Sequence, residues 1–101
     1  MFLHRSVPSA SLIFRRGDIV DEFSGAIGKT FQNYRKKCGL SQEVVSGLIG
    51  LDRNLYRRIE RGEKVPTVRT LLLIAEVFHV SPQTLLASIE EEIDSRGGLS
   101  V

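Results

Sequence analysis

From residue 23 onward the apolar side chains of this 101-residue chain recur three and four positions apart and almost never alternate, and glycines at 39, 50 and 62 cut the pattern into short pieces. That period belongs to helices, and helices this short are stable only when each buries its apolar stripe against the others. The pattern predicts an all-α bundle of five helices. The first places Phe23, Ile27, Phe31, Tyr34 and Cys38 on one stripe, carries Lys36 and Lys37 at the negative end of its dipole, and stops at Gly39. Ser41 caps a second, which contains Val44, Val45, Leu48 and Ile49 and which Gly50 stops. Asp52 caps a third over Arg53 to Glu60, closed by Gly62. Pro66-Thr67 opens a fourth through Val68 to Phe78, and Ser81-Pro82 opens a fifth through Leu85, Leu86 and Ile89. Residues 1–22 read as an N-terminal arm, irregular or with a short strand at Leu12-Ile13-Phe14, residues 23–93 as the folded domain, and residues 94–101 as a flexible tail.

The same residues exclude several classes of function. The longest apolar run, Leu71 to Ala75, meets Glu76 at once and falls far short of the roughly 20 residues a bilayer requires. His4 and Arg5 break the apolar stretch that a secretory signal would need, so a cytoplasmic protein is expected. One cysteine cannot form an internal disulfide, and His4 and His79 have no metal-ligand spacing, so no metal and no cofactor is expected. Cys38, on an apolar stripe without a neighbouring histidine base, reads as core rather than nucleophile. There is no acid/base pair and no glycine-rich phosphate loop, and the chain reads as a binding protein rather than an enzyme.

Charge is where the chain becomes informative. The net charge is only +2, but residues 25–70 carry ten Lys and Arg against four Asp and Glu, whereas residues 71–101 carry Arg96 against Glu76, Glu90, Glu91, Glu92 and Asp94. A basic middle with an acidic rear suits a polyanion on one face. Within that middle, two short helices meet at a tight turn, and the second opens with Arg53 and Asn54, the arrangement of a helix-turn-helix. Val45, Ile49, Leu51, Tyr56 and Ile59 should face inward, Ser46 is small where the helices cross, and Gly50 supplies the positive φ of the turn.

Together with GLSQ (residues 39–42), IERG (residues 59–62), Pro66 and VSP (residues 80–82), these positions resemble the Xre family of DNA-binding domains, which includes the lambdoid phage repressors and Cro proteins. The resemblance runs from about Ile27 to Ile89. It implies a bacterial or phage-encoded, sequence-specific transcriptional regulator, nucleoid-associated when bound and most simply a repressor, acting as a homodimer on a pseudo-palindromic double-stranded operator. By position, Gln42 would hold a phosphate and brace the recognition helix. Arg53, Asn54, Arg57 and Arg58 would reach base edges, where arginine matches guanine and asparagine matches adenine. Arg61, Lys64 and Arg69 would touch phosphates. Arg35 and Glu60 would form a structural ion pair, and Leu85, Leu86 and Ile89 a dimer interface to which Leu12, Ile13 and Phe14 could add. Two positions depart from the family. Tyr56 stands where an aliphatic residue is usual, so its phenol needs a partner or a path to solvent and could tilt the third helix. His79 stands where glycine is usual, implying a strained or rearranged cap. The alternatives are the antitoxin half of a toxin–antitoxin pair, with a toxin as partner, or a protein-interaction module that has given up DNA and uses the acidic rear.

Overall fold

The computed structural model describes residues 16–96, with side-chain surroundings from residue 22 onward, and resolves them into five α-helices: α1 (Arg16–Lys37), α2 (Gln42–Ile49), α3 (Arg53–Glu60), α4 (Val68–Val77) and α5 (Pro82–Ser95). No strand occurs among the described residues. The last four begin where their caps predict. Ser41 Oγ accepts from the Val44 amide at 3.1 Å, Asp52 Oδ2 from Leu55 at 3.1 Å, Thr67 Oγ1 from Thr70 at 3.1 Å and Ser81 Oγ from Thr84 at 3.0 Å. Each bond satisfies one amide that the first helical turn leaves without a partner.

Helix α1 corrects the sequence reading in two respects. It starts at Arg16, so residues 16–22, placed by sequence in an irregular arm, belong to the helix. Leu12, Ile13 and Phe14, with the rest of the arm before residue 16, lie outside the described residues, as do residues 97–101 of the expected tail; Asp94 and Ser95 are helical. The buried arc of α1 is also rotated from the expected stripe. Ser24, Ala26, Thr30 and Phe31 are buried, while Phe23 and Cys38 are exposed, so Cys38 is not core. The cause is that α1 packs against α5 on one side and α3 on the other, and a helix with two partners buries a wider arc than its most apolar stripe.

The core is centred on Phe31. Its ring stacks on Tyr56 at a centroid distance of 6.5 Å and meets Phe78 edge-on at 6.4 Å, and Tyr34 stacks on Phe78 at 5.6 Å. Val45, Ile59, Ile74 and Leu85 fill the space around them. Tyr34 Oη and Ser88 Oγ, 2.7 Å apart, join α1 to α5. Leu85 and Ile89 lie inside this core, and of the three residues expected at a dimer interface only Leu86 turns outward, because α5 lays its Leu85–Ile89–Ile93 edge onto the bundle.

Helix α4 closes through His79, whose φ is 60°, a left-handed conformation that no other non-glycine among the described residues adopts. The His79 amide donates to Glu76 O at 3.1 Å and the Val80 amide to Ala75 O at 3.0 Å, the paired bonds of a Schellman turn in which glycine is the usual residue. The cap is therefore regular in its hydrogen bonds and strained at its side chain.

Candidate nucleic-acid interface

The α2–α3 unit is held by a turn with the same bond pattern. Gly50 (φ 69°) donates to Gly47 O at 3.3 Å and Leu51 to Ser46 O at 2.9 Å, which sends the chain into α3 after only two residues, Leu51 and Asp52. Ser46 is buried, so the two helices approach closely there. Once α3 is set in this way, its sequence divides into an inner edge, Tyr56, Ile59 and Glu60, all buried, and an outer surface, Arg53, Asn54, Arg57 and Arg58, all exposed.

The inner edge ends in a polar anchor. The Glu60 side chain is 2% exposed, and its carboxylate accepts from Arg35 Nε at 2.7 Å, Arg35 Nη2 at 3.1 Å and Gln42 Nε2 at 2.8 Å. Arg35 also donates through Nη1 to Leu40 O at 3.0 Å. One carboxylate thus ties α3 to α1 and to the first residue of α2. Burial alone would raise the Glu60 pKa, but hydrogen bonds from Arg35 and Gln42 stabilise the anion and hold it below the ordinary carboxylate range. The Arg35 pKa is raised, chiefly by its bond to Glu60. Burial, followed by the Glu60 charge, pushes the Tyr56 phenol far above its ordinary value. The Tyr56 oxygen has no partner in hydrogen-bonding geometry, although it lies close enough to the Arg35–Glu60 pair to be perturbed by both. The expected requirement of the phenol for a partner or for solvent is met by neither a direct bond nor exposure.

Two further contacts at this end of α3 have no signal in the local sequence. Gln32 Nε2 donates to Glu60 O at 2.8 Å, and Gly28 lets α1 pass so near that a Cβ at that position would lie 2.4 Å from Glu60 O and 2.6 Å from Ile59 O. Both are relations between residues about thirty positions apart.

On the outer surface the cations are not equivalent. Arg53 Nη1 stands 3.7 Å from Glu43 Oε2 on α2. Arg61 pairs with Glu63 in a bidentate fork, Nε to Oε2 at 2.9 Å and Nη2 to Oε1 at 3.2 Å, and Arg58 Nε lies 3.9 Å from the same carboxylate. The hydrogen bonds from Arg61 lower the Glu63 pKa, and Glu63 raises that of Arg61. Asn54, Arg57, Lys64 and Arg69 are exposed, and Arg57, Lys64 and Arg69 have no ion pair with a described residue. Gln42 is partly buried with one amide hydrogen given to Glu60, so it braces the helix pair and keeps one donor free. The acidic residues Glu91 and Glu92 lie on α5, in a groove between α1 and α5. No single described helix is long and apolar enough to cross a membrane, and the described residues contain no cluster of metal-ligating side chains.

Comparison with known proteins agrees with this geometry. Residues 31–85 match the family described as helix-turn-helix. The chain is 34% identical over 65 residues to an uncharacterised HTH-type transcriptional regulator, y4dJ, of Sinorhizobium fredii, covering 64% of this chain and 84% of that protein. Among solved structures it resembles the restriction-modification controller protein C.AhdI of Aeromonas hydrophila, with TM-score 0.59 and 31% identity over 61% of this chain and 94% of that one. It also shares its fold with the clp gene regulator ClgR of Corynebacterium glutamicum, with TM-score 0.71 and 15% identity over 74% of this chain and 80% of that one.

Proposed function

The chain belongs to the Xre-like helix-turn-helix family of DNA-binding transcription regulators, and from that premise we propose that it is a sequence-specific repressor that reads the major groove with α3 as a homodimer. The observation that carries the reading is the division of α3: its inner edge is fixed to α1 and α2 through Glu60, while Arg53, Asn54, Arg57 and Arg58 stand outward with donors matched to purine edges. A rigidly mounted helix can hold such side chains in register with base pairs. Gln42, Arg61, Lys64 and Arg69 would then grip phosphates and set the depth of the helix without reading sequence.

A single recognition helix contacts too few base pairs to define a site, and a two-fold dimer places two of them about one helical turn apart. The apolar surface available for such a dimer on α5 is Leu86, 51% exposed, since Leu85 and Ile89 are buried within the protomer.

Selection of duplexes by the purified protein from a random pool tests the proposal. Recovery of a two-fold symmetric motif with half-sites about 10 base pairs apart is expected. Recovery of unselected sequence would overturn specific reading, and recovery of a single half-site would overturn the dimer.

A further inference from the structure

We propose that Glu63 is a built-in attenuator of DNA binding, a carboxylate fixed at the end of the recognition helix that occupies Arg61 and partly screens Arg58 until a phosphate displaces it. The inference rests on the DNA-binding reading above. It starts from the backbone. Gly62, with φ 78°, closes α3 by donating to Ile59 O at 3.0 Å, and Glu63 donates to Arg58 O at 2.9 Å, so the main chain of Glu63 is held by a Schellman turn. That turn is pressed against α1: a Cβ on Gly62 would lie 3.0 Å from Gly25 Cα. Glu63 is therefore an exposed side chain on an immobilised stem.

Its two oxygens take both donors of the Arg61 fork, at 2.9 and 3.2 Å, which is the bidentate geometry a guanidinium would otherwise offer a phosphate. Arg58 Nε lies 3.9 Å from Oε1, near enough to feel the charge without a hydrogen bond. Side chains of Arg58, Arg61 and Glu63 are 51%, 52% and 50% exposed, so the exchange of carboxylate for phosphate involves little desolvation and is readily reversible. After the exchange the displaced carboxylate remains beside the phosphate and repels it. Both effects weaken the phosphate contacts that supply non-specific affinity. Arg57, on the same helix, has no carboxylate partner among the described residues and stays available to a base edge.

Glu63→Gln keeps the backbone bonds and removes the charge. Titration of a fluorescent duplex by anisotropy, at two salt concentrations, on the selected site and on a scrambled one, gives the readout. The variant should bind both duplexes about three- to tenfold more tightly than the parent, with a salt slope steeper by about one unit per subunit. Glu91→Gln, the same charge change on α5, should gain less than about twofold through long-range electrostatics alone. Combined with Arg61→Ala, Glu63→Gln should lose at least half of its gain in log affinity, since the arginine it frees is absent. A parent that binds DNA while Glu63→Gln binds no more tightly than Glu91→Gln, or gains equally with Arg61 removed, overturns the attenuator and leaves the DNA-binding reading intact. A parent that binds neither duplex overturns both.

Discussion

Replacing Glu60 by glutamine is the most direct test of what mounts α3. The carboxylate now satisfies three donors, two from Arg35 and one from Gln42, with its side chain 2% exposed and that of Arg35 13% exposed. A glutamine in the same place has one acceptor oxygen. If that oxygen faces Arg35, its NH2 meets the Gln42 amide donor; if it faces Gln42, its NH2 meets the guanidinium. Either way a buried donor loses its partner and the Arg35 charge loses its counter-ion. Breaking a buried pair from one side costs about 3–5 kcal/mol. Arg35 keeps its bond to Leu40 O and some solvent, so the lower end, about 3 kcal/mol, is expected. For a domain of this size that corresponds to a fall in Tm of roughly 12–24 °C. Urea unfolding followed by circular dichroism should show a lower midpoint at unchanged slope, since the surface exposed on unfolding is the same. Replacing Arg35 and Glu60 together by methionine should recover at least about half of the loss, because the desolvation of two charges disappears with the pair. The pH dependence has a definite sign. The Glu60 pKa lies below its unfolded value of about 4.3, so its contribution is complete above that pH and disappears as pH falls through the folded value. The parent should lose stability more steeply than Glu60→Gln on acidification below about pH 4. A Glu60→Gln protein that melts within about 2 °C of the parent would refute the reasoning.

Three further outcomes follow from particular contacts. Gly28→Ala would ordinarily stabilise a helix, but its Cβ would sit 2.4 Å from Glu60 O, a main-chain atom that can move only with α3, so a net loss of about 2–3 kcal/mol is expected in urea unfolding. A gain would mean that α1 and α3 do not approach as closely as described. His79→Gly should raise stability by about 0.5–1 kcal/mol, the relief of a left-handed residue less the added freedom of the unfolded chain, and a lower Tm would contradict the strain at φ 60°. On duplex DNA, Arg57→Ala should cost about 1–3 kcal/mol per half-site on the selected sequence and relax base choice there, while Lys64→Ala should weaken all sequences alike and lower the salt slope by about one unit per subunit. Equal losses for Arg57→Ala on selected and scrambled duplexes would remove it from base reading.

The sequence by itself determined the five helices found among the described residues, the limits of α2 to α4 to within a residue, the start of α5, and the two-sided character of α3. These features are local: Ser41, Asp52 and Ser81 bond to amides three residues on, and Gly39, Gly50 and Gly62 close turns through their own backbone. Short-range chemistry of this kind is written in neighbouring residues and survives any packing. The place of Glu60 opposite Arg35 was accessible only through resemblance, since nothing local joins residues 25 positions apart. What only the tertiary structure decided was the use each residue makes of its face. Phe23 and Cys38 lie outside the core and Ser24 inside it because α1 is shared between α3 and α5. Leu85 and Ile89 are buried within the bundle, leaving Leu86 outside. Gly28, Gln32 and Glu63 carry no distinguishing signal in the sequence, and they matter because main-chain atoms from distant segments come within contact distance, or because a turn holds a carboxylate beside two arginines. Helical periodicity fixes which residues can share a surface, but the partner that covers it is fixed by how several helices pack at once.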